Sequence, residues 1–310
     1  METVKMNGIC GTENPAADRG RGKGLCGAAL CLAAIVGLSA AARAGNGGYF
    51  AVYNHHIEKG EKEIMLMSDY TSPSKANREE GQKNYFSQML ELEWAPTDKF
   101  ATELMLEGFA EPGGVKRFTG FRWENRYRIF KDDVPLNPML YTEYEHLSHL
   151  TRFKMEVSGW VHPPYKEKEE TGPEKDERIM ETRLVLSEDF GGTNVAFNWL
   201  NETDLRNTKT DFGYLFGVMH KLGKGGHEQH GASHEGHSGG GFRLAAVGVE
   251  LWGALGDSRK LDLAPSRQQH YLSPVAMFHL GDDIMFHVSP TIGLSKVSDN
   301  LLRFAVGFEL

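Results

Sequence analysis

Four histidines crowd one short stretch of this chain. His227, His230, His234 and His237 fall at spacings of three, four and three in a glycine-rich run, with Glu228 and Glu235 between them. Neutral imidazole binds Zn2+, Cu2+ and Ni2+, and a flexible chain can fold several rings onto one ion. His220 stands close enough in sequence to join. The same composition also describes a solvated insertion of weak metal affinity, because no rigid support can be inferred for it. Metal uptake here is therefore an expectation, and nothing else in the chain requires a cofactor.

A second set of residues is ionic. Glu103 and Glu107 precede Arg122, Arg126 and Arg128, and Glu143 and Glu145 follow. Each group recurs at every second or fourth position, so each lines one face of an extended strand. Charges of opposite sign on neighbouring strands stabilise a sheet. Alternating signs suit a structural network better than a selective pathway, which presents one sign or an asymmetric field.

The remaining candidates are weaker. His55 and His56 are adjacent, and adjacent side chains of an extended chain point apart, so the pair reads as solvated. His270, His279 and His287 fall on neighbouring strands. Ser148 with His149, and Ser273 with His270, could supply a nucleophile and base by composition only. No G-x-S-x-G, H-E-x-x-H or phosphate-binding glycine loop is present. The expectation is a protein that is not an enzyme.

Composition limits the compartment and the partners. Arg19, Arg21 and Lys23 precede an apolar run from Leu25 to Leu38, and Ala42-Arg43-Ala44 follows. That is the pattern of a secretory signal peptide, residues 1–44, cleaved near Ala44. All three cysteines (Cys10, Cys26, Cys31) lie inside it, so the mature chain has no disulfide or thiolate chemistry. Loss of five basic and three acidic residues takes the formal net charge from −8 to −10. An acidic protein is a poor match for nucleic acid.

These residues need elements to position them, and the mature chain alternates with period two. Leu90, Leu92 and Trp94 oppose Glu91 and Glu93. Phe121, Trp123, Tyr127 and Ile129 oppose Arg122, Glu124, Arg126 and Arg128. Leu302, Phe304, Val306, Phe308 and Leu310 oppose Arg303 and Glu309. Twelve strands are expected at about 62–71, 84–94, 99–110, 117–129, 138–147, 178–187, 193–201, 211–221, 241–254, 269–280, 284–294 and 301–310, most near the length that crosses a bilayer at a tilt.

Short turns alternate with long polar loops along the chain. That is the signature of an all-β, antiparallel up-and-down transmembrane barrel with its short turns in the periplasm. Residues 45–61 read as a periplasmic lead-in or partial plug, 62–310 as the barrel, and 146–177 as a long external loop. The His-rich loop 222–241 falls on the short-turn side yet is long. Thr151 to Val161 also alternates. If it and Gly47–Asn54 are strands, the count becomes fourteen. Small residues in the later half (Ala246, Gly248, Ala305, Gly307) leave room for a narrow passage or an inserted loop.

A soluble periplasmic β-sandwich would alternate too. Lipid is favoured by the matched ions and by aromatics near strand ends. Trp94, Phe130, Tyr141, Trp199, Trp252 and Tyr271 are expected in interfacial girdles. Residues 62–310 resemble bacterial outer-membrane β-barrels, most specifically in the closing strand Leu301 to Leu310, although such barrels commonly end in an aromatic residue and this chain ends in Leu310. The run from Leu92-Glu93-Trp94 through Phe121-Arg122-Trp123 looks like a family of uncharacterised exported barrels. The resemblance implies an outer-membrane location, lipid as the surrounding partner, and recognition of the last strand by the assembly machinery. It also implies porin-like passage of a small solute, or a structural barrel. A metal-handling barrel using the His-rich loop is the alternative.

Overall fold

The computed structural model describes residues 48–111, 113–166, 176–222, 242–281 and 284–310. The expected signal peptide and His227, His230, His234 and His237 lie outside the described residues. The strands are β1 (Lys62–Ser72), β2 (Tyr85–Thr97), β3 (Phe100–Ala110), β4 (Lys116–Arg128), β5 (Met139–Leu147), β6 (Glu177–Phe190), β7 (Thr193–Asp204), β8 (Thr210–Lys221), β9 (Phe242–Asp257), β10 (Lys260–Leu261), β11 (His270–Leu280), β12 (Ile284–Gly293) and β13 (Asn300–Glu309). Among the described residues one short helix, α1 (Lys75–Glu79), follows β1, and the Ser74 side chain caps its N-terminus by accepting the Asn77 N–H. β10 is a two-residue appendage to β9. The other twelve match the twelve expected from the alternation.

Every strand pairs antiparallel with its sequence neighbour in the wall, and β1 pairs with β13 over ten positions. The sheet therefore closes on itself. This excludes the β-sandwich, which needs two separate layers and leaves strand edges. It also excludes fourteen strands: residues 49–58 and 151–158 carry no strand structure.

The two faces of the wall are opposite in chemistry. Leu66, Leu92, Leu104, Trp123, Leu140, Leu184, Phe197 and Phe216 point outward and are exposed. Glu103, Glu124, Arg126, Glu143, Glu181, Arg183, Glu250 and Arg303 point inward and are buried. A water-soluble protein has the reverse arrangement. Covering one Leu or Phe with an apolar medium is worth about 1.5–3 kcal/mol, and closure leaves no open sheet edge in hydrocarbon. The chain is a transmembrane β-barrel.

The expected aromatic girdle needs correction. Trp94 and Phe130 are outward and exposed, and Trp199 also faces out. Tyr141, Trp252 and Tyr271 are buried in the lumen instead. Position along the strand misled; parity decides. Tyr141 is in phase with Glu143, Trp252 with Glu250, and Tyr271 with Ser273. Trp252 stacks on Tyr271 at 4.2 Å between ring centroids.

Candidate functional site in the barrel lumen

Two stretches without strand structure fill the lumen, one from each end. The first is the N-terminal segment, residues 48–57. Tyr49, Phe50, Ala51, Val52 and Tyr53 are all buried. A segment inside a closed barrel has no sheet edge to pair with, so wall side chains must satisfy its backbone. Glu250 Oε1 accepts the N–H groups of Phe50, Ala51 and Val52 at 2.8, 3.1 and 3.2 Å. Asn198 pairs with Tyr53 on both sides, accepting from its N–H at 2.7 Å and donating to its carbonyl at 2.8 Å. The Tyr49 hydroxyl reaches the Asn194 carbonyl at 3.0 Å, near the β6–β7 turn. Small wall residues make the room: a methyl group on Gly217 would fall 2.5 Å from the Tyr49 ring. The segment returns toward the short-turn end at His55, whose N–H donates to Ser187 Oγ at 2.9 Å.

The second stretch descends from the long-loop end, between β5 and β6. Residues 151–161 alternate like a strand, and the turn-length pattern put them in an external loop; the chain instead turns inward. Thr151 donates to Glu107 at 2.5 Å, Arg152 pairs with Glu111 at 2.7 Å, and Ser158 donates to Glu202 at 2.6 Å. Phe153 and Met155 are buried. Gly159, at φ +66°, lies so close to Asp211 that a Cβ would sit 2.6 Å from its carboxyl carbon. Only glycine fits there.

The ionic residues expected from sequence divide into groups around these inserts. Arg122 meets Glu107 at 2.6 Å, Glu143 at 3.1 Å and Glu145 at 3.5 Å. Arg126 pairs with Glu93 and with Glu124, near Glu103. Arg128 stands apart and pairs with Asp133 in the β4–β5 turn. Two residues outside the expected set tie the groups together. Glu156, on the second insert, meets Arg122 at 2.6 Å and Arg183 at 2.8 Å. Burial raises its carboxyl, but the two guanidinium groups outweigh that and hold it below the ordinary range. Arg183 also pairs with Glu181 and donates to the Ala51 carbonyl of the first insert at 3.0 Å. Parity could have found Arg183. Glu156 alternates with Met155 and Val157, but its segment forms no strand, so parity alone did not place it.

Arg303 makes a similar junction. It binds Asp69 and the Lys154 carbonyl, and lies over the rings of Phe50 and Phe153, one from each insert. Methionines pack the gaps. Met67, Met89, Met105, Met139, Met155, Met219 and Met277 belong to one buried cluster with Tyr49–Tyr53. Unbranched thioethers suit the irregular space between an insert and a curved wall.

Above the second insert lies a vestibule of about 1330 Å³. Its walls include Glu145, Glu177, Glu202, Asp204 and Asp211 against Arg206, Lys209 and Arg259, and its floor is Arg122 and Glu156. Below it, only about 30 Å³ is free among Tyr49, Phe50, Tyr53, Met155 and the acidic side chains Glu63, Glu91, Glu93 and Glu103. The lumen is wide at the long-loop end and filled further down.

The Ser–His pairs find other partners. Ser273 bonds Thr291 at 2.8 Å and Trp252 Nε1 at 3.2 Å, while His270 bonds Tyr214 at 3.2 Å. Ser148 accepts from the Leu150 N–H. His55 and His56, set aside as solvated, come together at the short-turn mouth with ring centroids 4.3 Å apart. The backbone bends at His55, so the extended-chain rule fails there. Burial first, then the neighbouring His56, lowers His55 to about 4, and its ring is neutral.

No family model matches the chain, and no curated protein matches its sequence. Among solved structures it is similar to an outer-membrane channel from Pseudomonas putida, with 9% identity over 87% of this chain and 100% of the other, at a TM-score of 0.47. It is similar to the NanC porin, with 10% identity over 80% and 100% of the two chains, at 0.46. It is also similar to LpxR from Salmonella typhimurium, with 10% identity over 79% and 99%, at 0.40. Identities this low carry no activity from those proteins to this one.

Proposed function

We propose that the protein is a porin-like outer-membrane channel for a small polar solute, shut in this conformation by two segments of its own chain. The observation that carries the reading is the vestibule: a large polar chamber floored in part by an insert, whose Glu156 rests on Arg122 of the wall. A floor on a loop can leave, whereas a wall strand cannot without breaking the closed sheet. Carboxylates outnumber basic groups around the chamber, six to four. That balance favours a cation or cationic solute over an anion.

By the same reading the chain lies in the bacterial outer membrane after removal of residues 1–44. Its short turns then face the periplasm, and Leu301 to Leu310 is the segment the assembly machinery reads. Planar-bilayer recording tests the proposal. Native protein is expected to conduct rarely and weakly. Replacing 152–158 by a glycine-serine linker of equal length should give stable, larger openings. Silence in both would leave a structural barrel, the reading that the ionic network otherwise supports.

A further inference from the structure

The mouth at the short-turn end holds three metal-ligating side chains that the channel reading does not use. His55 and His56 come from the N-terminal insert, and Asp189 comes from the end of β6. Their ligand atoms all lie within 4.8 Å of one another. His56 Nε2 is 2.9 Å from Asp189 Oδ2, and His55 Nε2 is 3.8 Å from the same oxygen. Ligands about 2.0–2.1 Å from a tetrahedral Zn2+ stand about 3.3 Å from one another. The two separations bracket that value, so an ion needs only a small movement of flexible rings.

The surroundings orient these ligands as metal sites require. Ser187 Oγ lies 2.6 Å from His55 Nδ1, which leaves Nε2 for an ion. Asn194 Nδ2 donates to Asp189 Oδ1 at 2.6 Å, which leaves Oδ2. Asn54 Oδ1 accepts from the His56 N–H at 2.9 Å and fixes the bend that sets the two rings side by side. His56 and Asp189 are each about two-fifths exposed, so ions can enter from the mouth and a fourth position stays open to water. An ordinary ion pair between His56 and Asp189 would account for one ring only. It gives no reason for a second, buried ring with its free nitrogen aimed at the same carboxylate.

We propose that His55, His56 and Asp189 bind one divalent late first-row cation, with Zn2+ as the reference, and that the ion staples the N-terminal insert to the barrel wall. Two imidazoles and a carboxylate with one open position is a donor set that suits Zn2+ and its neighbours over Ca2+ or Mg2+. Two ligands belong to the insert and one to the wall, so the bound ion closes a loop from β6 through the lumen to β1. The site stands whether or not the barrel conducts.

The test uses the full mature chain, folded in detergent and carrying His227, His230, His234 and His237→Ala, so that the glycine-rich loop cannot bind. Calorimetric titration with ZnCl2 is expected to show one equivalent bound at micromolar affinity or tighter. His56→Gln and Asp189→Asn should each weaken binding at least tenfold. Co2+ should give the visible absorption of a tetrahedral N/O site, lost in the same variants. Because Asp189 also holds Asn194, its variant could misfold; His56 is exposed, and heat-modifiable gel mobility confirms that His56→Gln keeps the barrel. No heat in the loop-silent protein, or equal affinity in the His56→Gln protein, would overturn the proposal.

Discussion

Arg303 and Asp69 face each other across the seam where the last strand meets the first, joined by two hydrogen bonds of 2.7 Å. Both are buried, and their Cα atoms are register partners. The planar guanidinium fits the carboxylate edge to edge, a geometry that lysine cannot reproduce. A seam joins residues 234 positions apart in sequence, so its pairing is the last thing that local structure can secure.

Removing one partner leaves a buried charge uncompensated, at a cost of about 3–5 kcal/mol. Asp69→Asn and Arg303→Ala should each lower the temperature at which the folded band converts to the unfolded band on a detergent gel. The double variant Asp69→Leu/Arg303→Met should recover most of the loss, since it leaves no orphan charge. A double variant weaker than both singles would contradict this account.

Glu156 is the only carboxylate through which the second insert reaches both Arg122 and Arg183 among the described residues. Glu156→Gln weakens both contacts without changing shape. Bilayer recording should find openings several-fold more frequent than in native protein. Lys166→Gln, an exposed change farther along the same loop, should leave the recording unchanged.

The vestibule's acidic excess gives a selectivity expectation. With the 152–158 replacement open in a KCl gradient, the reversal potential should show preference for K+. Glu202→Lys and Asp211→Lys together should reverse or abolish that preference, because both side chains line the chamber.

Glu61 sets a pH dependence at the opposite end. It lies just before β1. Burial first, then Glu93 and Glu309, push its carboxyl up to about 8 against the pull of Arg126. Its folded pKa lies above the unfolded value, so folding favours the protonated form. The stability this group contributes is full below about 4.5 and is lost as pH rises through about 8. Glu61→Gln should therefore raise the heat-modification temperature at pH 8 and above, with little effect at pH 4.

The strands were legible because each wall residue obeys one rule: even and odd positions see different solvents. Leu92 and Glu93 announce their sides, and the same rule places Glu103, Glu107, Arg122, Arg126, Glu143 and Glu145 in the lumen together. The rule also covers Arg183 and Tyr141, and Tyr141 was misplaced only when its distance from the strand end was given more weight than its parity. The inserts were legible only in outline: residues 45–61 read as a lead-in or partial plug, but neither segment's contacts could be placed. Phe50, Tyr53 and Glu156 sit in segments that form no strand, although 151–161 alternates, and their burial depends on wall side chains far away in sequence, such as Glu250, Asn198 and Arg183. The convergence of His55 and His56 was hidden for a related reason. It depends on a bend fixed by Asn54 and on a third ligand 133 positions downstream.

Two side chains touch both obstructions in the lumen, Arg303 through aromatic rings and Arg183 through hydrogen bonds. Arg183 gives one nitrogen to Ala51 and another to Glu156. The free energies that hold the two segments are thus not independent. Withdrawing either one leaves the guanidinium half-solvated and loosens its grip on the other. Clearing one obstruction is therefore expected to change how firmly the other is held, which couples the two mouths of the barrel through the Arg183 side chain.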